Sequence, residues 1–285
     1  MARAHRALGF DQAAAARWLG YVRTALWPYF RPRVIGAENL PAGRALVVGC
    51  HSGVIPYDAA CTLVAIREAT GRFAHAIGDN LFGRIGLVED FLRRQGALVG
   101  RPELVEAALR GGNLVLLFPG GARDMERPYL TQRYHVLPHR GFAPGRGGYI
   151  KVALRMRAPI VPLAVVGAEE AHLTIVNLPA VARALAMPLF PLVLFPFPLP
   201  VKLYIRFGAP ITLPGTPADA RDQRKVDRLN EMVRRKVQGL IDDTVRRRRG
   251  VIFSSYQDGH RGVSRPQPGN RRRRAQRSRQ PQGGS

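Results

Sequence analysis

The chain has 285 residues, 46% of them hydrophobic, which is enough to bury a sizeable core as one large domain or as a domain with appendages. Forty-four Lys and Arg against 20 Asp and Glu give a net charge of +24, and all but Lys151, Lys202, Lys225 and Lys236 of the basic residues are arginines. Two cysteines, Cys50 and Cys61, exclude a disulfide framework and make a reducing compartment the default. The tail from residue 250 to 285 holds eight arginines and Asp258, a contribution of +7 that leaves +17 on the body. An excess spread over the body suits any polyanionic partner: anionic lipid headgroups, nucleic acid or a phosphorylated co-substrate.

At the N-terminus a basic stretch is followed only by the short Ala13 to Ala16 run, closed by Arg17, so no clean secretory signal is expected. Asp11 to Phe30 predicts a helix that contains the only two tryptophans, Trp18 and Trp27, with Tyr21, Tyr29, Arg17 and Arg23 among them. It is too short and too charged to span a bilayer. Its composition suits an interfacial helix lying on a membrane, or equally an amphipathic helix packed on the domain.

Beyond residue 40 apolar runs alternate with helical patterns. Strands are expected over 45–50, 73–78, 96–99, 113–118, 159–166 and 201–207, and helices over 57–70, 84–95, 102–110 and 148–157. A Pro, Gly and Arg-rich loop separates residues 124 and 147. This order predicts an α/β fold with a mixed, largely parallel sheet flanked by helices. Strands without polar alternation fit, because parallel strands are covered on both faces.

Ala184 to Val201 carries no charge, but Pro188, Pro191, Pro196, Pro198 and Pro200 rule out a regular spanning helix. The segment is expected to be a hydrophobic loop that either covers the core or dips into one leaflet. Thr216 and Asp219 form a capping-box pattern with Pro217 at the first helical position, followed by Val226, Leu229, Val233, Val237, Leu240, Ile241 and Val245 at helical spacing. After Gly250 periodicity ends. The expected organisation is therefore an N-terminal helical segment over 1–39, a main domain over 40–249 and a disordered basic tail over 250–285.

Two strand ends carry candidate chemistry. The first opens into His51-Ser52-Gly53-Val54-Ile55-Pro56-Tyr57-Asp58, placing a histidine on a strand-to-helix turn and a carboxylate in the first helical turn. Such a pair can serve as general base and orienting partner, or Asp58 can simply cap the helix while His51 ends the strand. The second opens into Phe118-Pro119-Gly120-Gly121-Ala122-Arg123-Asp124, where glycines permit close backbone approach and Arg123 offers a planar cation for phosphate. It too can be read as an ordinary turn with a solvated arginine. No nucleophile elbow, Walker A or dinucleotide fingerprint is present.

In order, His51 to Asp58, Phe118 to Arg123, Arg140-Gly141-Phe142 through Lys151, and Ala158-Pro159-Ile160-Val161-Pro162 resemble the glycerolipid acyltransferases, the lysophosphatidic-acid-acyltransferase-like family. Gly96-Ala97-Leu98-Val99 before Arg101 adds to the resemblance, which covers about residues 40 to 215. Two departures stand out: six residues, not four, separate His51 from Asp58, and Gly120 replaces the usual glutamate of a Phe-Pro-Glu-Gly block. The Pro-Gly-Gly-Ala-Arg form looks like the diacylglycerol-acyltransferase-like branch and favours a neutral acceptor.

The resemblance implies transfer of a fatty acyl group from acyl-CoA or an acyl carrier protein thioester to a lipid hydroxyl acceptor, either a glycerolipid or a lysophospholipid. His51 would be the base, Asp58 its partner, and Pro119, Gly120, Gly121 and Arg123 the substrate-binding residues, with no bound cofactor or metal. The site would sit on the cytoplasmic face of a membrane, peripheral or monotopic, against an anionic surface. Two readings compete with catalysis. One is a noncatalytic lipid-binding scaffold on the same fold. The other is a basic nucleic-acid-binding protein, disfavoured because no aromatic strand platform or recognition helix is evident.

Overall fold

Residues 9–51, 56–78, 86–121, 124, 133–184, 191–195 and 197–257 are described by the structure, a computed structural model. Helix α1 (Gln12–Tyr21) is capped by Asp11, whose side chain accepts from the amides of Ala13 and Ala14. It continues through a π-helical stretch, Val22–Leu26, into the single turn α2 (Trp27–Phe30). The chain then enters β1 (Arg33–Ile35), followed by β2 (Ala45–Val48), α3 (Tyr57–Thr70), β3 (Ala74–Gly78), α4 (Gly86–Arg94), β4 (Leu98–Val99), α5 (Pro102–Arg110) and β5 (Leu114–Leu117). After a long connection come α6 (Gly148–Met156), β6 (Ile160–Val166), the short α7 (Ala168–Ala171), the strand β7 (Thr174–Asn177), α8 (Pro179–Ala184) and β8 (Pro191–Val193). The last elements are β9 (Tyr204–Phe207), α9 (Gln223–Arg247), β10 (Arg248–Arg249) and β11 (Ser255–Tyr256).

Seven strands form one sheet in the order β1-β9-β6-β2-β5-β3-β4. Every neighbouring pair is parallel except β6 with β9, so the expected mixed, largely parallel sheet is what forms. The strand pattern explains the two-sided core. Leu46 and Val48 point to one face with Val115, Leu117, Ile160 and the buried sides of α6 and α9. Ala45 and Val47 point to the other with Leu114, Leu116, Val161 and the buried side of α3. Apolar side chains therefore occupy every position of β2, because both faces are covered.

This topology also places the site. From β2 the chain passes through α3 to β3 on one side, and from β5 it passes through α6 to β6 on the other. The crossovers lie on opposite faces and the direction of winding reverses at β2 and β5, a switch point of the kind at whose carboxyl ends open α/β sheets bind ligands.

Several local expectations are revised. The capping box of Thr216 and Asp219 forms, but it starts a 3₁₀ turn, Pro217–Arg221. Extended Asp222 interrupts that turn and caps α9 anew through Lys225 N–H. Within the uncharged stretch expected as a loop, Pro191–Val193 pairs as β8 with β7. β1 pairs with β9 before residue 40, and β11 turns back onto β10 after Gly250. Most of the basic tail, from residue 258, lies outside the described residues. Among the described residues no helix is long and apolar enough to cross a membrane.

Candidate active site

After Val48 the chain leaves β2 and reaches His51, whose ring stacks on Phe118 at the end of β5, with centroids 4.9 Å apart and planes at 17°. Asp58 stands in the first turn of α3, fully buried. Its Oδ2 lies 2.7 Å from His51 Nδ1, and its Oδ1 accepts the amide of Ala59 at 2.7 Å. The six intervening residues thus do not part the pair, because α3 begins at Tyr57 and brings its first turn back beneath the strand end. A carboxylate is also favoured at a helix N-terminus, where the backbone dipole presents partial positive charge.

A carboxylate at this position accepts the Nδ1 proton, which fixes the imidazole tautomer and puts the lone pair on Nε2. That arrangement suits proton abstraction: the imidazolium that would form is stabilised by the same carboxylate. His51 keeps 13% of its side chain exposed, enough to meet a substrate.

A second carboxylate holds the histidine from its backbone. Asp124 Oδ2 accepts the His51 amide at 3.0 Å, and its Oδ1 accepts Nε2 of His139 at 2.8 Å. The side chain of Asp124 is wholly buried. It lies directly over Gly120, where a Cβ would come within 1.9 Å of Asp124 Oδ1. Gly120 must therefore be bare. In place of a side chain at residue 120, a carboxylate reaches over the glycine from four residues downstream.

The loop around it is tied down. Gly121 adopts φ 56°, a left-handed conformation that favours glycine, and its amide donates to Phe118 O at 2.9 Å. That amide is committed to the turn, and Gly121 serves the loop through its conformation. Pro119 O accepts the Gly141 amide at 2.8 Å, and a Cβ at Gly141 would press on Pro119 at 2.8 Å. The block from Arg140 to Phe142 thus packs against the Pro-Gly-Gly loop. Arg123 lies outside the described residues.

Polar groups behind the site are fixed as well. The Tyr57 hydroxyl donates to Ala168 O at 2.8 Å and lies 3.1 Å from His172 Nδ1. Burial, with the Asp58 charge second, raises the Tyr57 hydroxyl far above its usual range, and burial lowers His172, so both are neutral at pH 7. Burial, again reinforced by Asp58, pushes the Cys61 thiol up to about 12. Cys61 is therefore no thiolate nucleophile. Nearby, buried Glu170 takes Arg248 at 2.6 Å and the Tyr134 hydroxyl, whose oxygen accepts the Gly167 amide at 2.9 Å.

Of the sequence-derived site residues, His51, Asp58, Pro119, Gly120 and Gly121 converge at the ends of β2 and β5. Asp124 and His139 were not singled out. Their only signals were a carboxylate four residues past a bare glycine and a histidine just before Arg140-Gly141-Phe142. Among the described residues no group of three or more His, Cys, Asp or Glu side chains could hold a metal ion.

Residues 31–166 match the family described as Acyltransferase. The chain is similar to uncharacterized proteins of Mycobacterium tuberculosis, 31% identical over 241 residues, and Mycobacterium leprae, 32% identical over 246 residues. These alignments cover 79% and 82% of this chain but 64% and 65% of the relatives, so the chain spans just under two thirds of their length. It is also 28% identical over 239 residues to the mouse protein named DGAT1/2-independent enzyme synthesizing storage lipids, covering 82% of this chain and 65% of that one. A crystal structure of the 1-acyl-sn-glycerophosphate (LPA) acyltransferase PlsC from Thermotoga maritima shares the fold, with a TM-score of 0.50, 17% identity and 79% coverage of each chain. Residues 31–166 thus carry the match to the Acyltransferase family, on a fold shared with PlsC, and the chain is similar to proteins on the diacylglycerol-acyltransferase-like side.

Proposed function

We propose that this protein moves a fatty acyl group from a thioester, acyl-CoA or acyl carrier protein, to the hydroxyl of a lipid acceptor at a membrane surface. The observation that carries the reading is the contact of 2.7 Å between His51 Nδ1 and fully buried Asp58 at the carboxyl end of β2. His51 Nε2 removes the acceptor hydroxyl's proton as its oxygen attacks the thioester carbonyl. The tetrahedral intermediate then collapses, the C–S bond breaks, and the thiolate leaves with the proton returned from His51. Base assistance of this kind contributes about 10² to 10⁴ in rate, with positioning supplying much of the rest. No acyl-enzyme is needed, and the raised Cys61 thiol argues against one there.

The Pro-Gly-Gly form of the loop and the storage-lipid name of the mouse relative favour a neutral acceptor such as a partial acylglycerol. Arg123 is assigned to a phosphate of the donor. The basic body favours attachment to the cytoplasmic face of a membrane, peripheral or monotopic.

The test is turnover of radiolabelled acyl-CoA by purified protein over monoacylglycerol, diacylglycerol, long-chain alcohol and lysophospholipids. His51→Ala is expected to abolish transfer while leaving the thermal transition in place. Full turnover by that variant overturns the assignment.

A further inference from the structure

At the sheet edge that delivers His51 and Phe118, other segments also surface. β6 runs parallel to β2 and ends at Val166, which pairs with Tyr204 at the start of β9, and Tyr204 pairs in turn with Arg33 at the start of β1. The chain before β1, the chain before β9 and the turn after β6 therefore share the edge with the site. Hydrogen bonds join them into one surface: Tyr29 hydroxyl to Pro198 O, Arg31 to the carbonyls of Pro200 and Ile252, and Lys202 amide to Val251 O.

What this surface presents to solvent is apolar. Phe253 is 93% exposed and Phe197 78%, with Phe195, Tyr29 and Ile252 beside them in the same linked segments. The β7–β8 pair is attached through Leu194 N–H to Leu173 O, and exposes Ile175, Val176 and Leu192. A two-stranded ribbon is only marginally stable by itself in water, and the apolar side chains exposed along this one bury nothing there. Exposed clusters of this kind mark interaction surfaces.

The rim is basic. Arg31 and Arg249 are exposed beside Phe253, and Lys202 Nζ reaches Ser254 O. The chain beyond Gln257, which leaves the fold at this edge, carries eight arginines against Asp258.

We infer that this edge is a docking surface for an anionic phospholipid bilayer, in which Phe197 and Phe253 enter the acyl boundary while the arginines meet the headgroups. Apolar side chains flanked by cations are the chemistry of interfacial attachment. The inference deepens the acyltransferase reading and rests on it for the acceptor: a lipid hydroxyl reaches His51 along the docked edge without crossing water. It also selects between the two readings of the uncharged proline stretch, assigning its Phe195 and Phe197 to the leaflet.

Flotation of the full chain with vesicles of phosphatidylcholine, alone or mixed with phosphatidylglycerol, tests it. The wild type is expected to float with the mixed vesicles and less with the neutral ones. Phe197→Ser combined with Phe253→Ser is expected to lower the bound fraction's partition constant about tenfold or more with an unchanged melting transition. A chain ending at Gln257 is expected to lose the anionic preference and keep the phenylalanine dependence. Flotation of the double variant at the wild-type level overturns the inference, as does a wild type that binds neither vesicle. A wild-type dimer that the same double variant dissolves assigns the surface to a second copy and also overturns it. Flotation needs no turnover: an inactive protein that floats defeats the acyl-transfer reading alone, and an active one that does not float defeats the docking alone.

Discussion

Adding one methyl group at Gly120 is expected to impair the site as much as deleting the Asp124 carboxylate. A Cβ at residue 120 would stand 1.9 Å from Asp124 Oδ1 and 2.3 Å from its Cγ, a separation no pair of atoms tolerates. The carboxylate must leave, and with it go the bonds to the His51 amide and to His139. Hydrogen bonds to charged groups contribute about 1.5–3 kcal/mol each, so the strand end that carries His51 loses a substantial restraint. A displacement of about 1 Å at a reacting group costs about 10²-fold in rate, or about 2.7 kcal/mol at 1.36 kcal/mol per tenfold. Gly120→Ala and Asp124→Ala are each expected to lower kcat about hundredfold, with KM changing far less. In the double variant the added methyl meets no carboxylate. Its kcat should therefore also be down about hundredfold, where independent effects would give about 10⁴. Initial rates with acyl-CoA and the preferred acceptor, corrected for folded fraction by thermal melts, measure the cycle. Additive losses, or wild-type kcat for Gly120→Ala, would refute the argument that the bare glycine exists to admit Asp124.

Asp58→Asn keeps the shape of the pair but offers Nδ1 an amide, and should cost about 10²- to 10⁴-fold in kcat, read by steady-state rates. Arg248→Met leaves Glu170 buried without its guanidinium, and a loss of about 3–5 kcal/mol is expected by urea unfolding, with Glu170→Gln in the same chain recovering part of it. Asp243 is held at about 2 by its hydrogen bond to Arg206, then by Arg247. Its folded pKa is depressed, so its stabilisation is present above about pH 4 and is lost as pH falls toward 2. After allowance for its partial exposure it contributes about 1 kcal/mol, and Asp243→Asn should flatten the melting temperature over that pH range.

The parallel sheet was legible in sequence because its strands are short apolar runs and its helices α3 and α5 are bounded by Pro56 and Gly71, and by Pro102 and Gly111. The flanking strands were not. β1 is half-exposed, and β8 starts at a proline in a run whose composition suggested a loop. His51 and Asp58 were visible as a pair because only six residues separate them between one strand end and the helix that follows. Asp124 was hidden by a separation of 73 residues from the amide it holds, and His139 lies in a connection with no periodicity. Contacts of this kind are set by how two loops meet over a sheet, which local pattern does not encode.

The arrangement around His51 shows why a longer His-to-Asp interval need not part the pair. A side chain on a turn has to be fixed in ring orientation, in backbone position and in the plane it faces. Here three separate elements supply one restraint each. Asp58, on the first turn of α3, fixes the ring tautomer; Asp124, from the loop after β5, fixes the amide; Phe118, at the end of β5, stacks on the ring face. Catalytic geometry must hold to about 0.5 Å, and rigid elements bearing buried partners are what achieve it. With the backbone of His51 pinned by Asp124 and Asp58 seated in the first turn of α3, both ends of the interval are held whatever its length. On this logic the bare Gly120 and the longer interval are linked departures: removing the side chain at 120 admits the carboxylate that makes the longer turn tolerable.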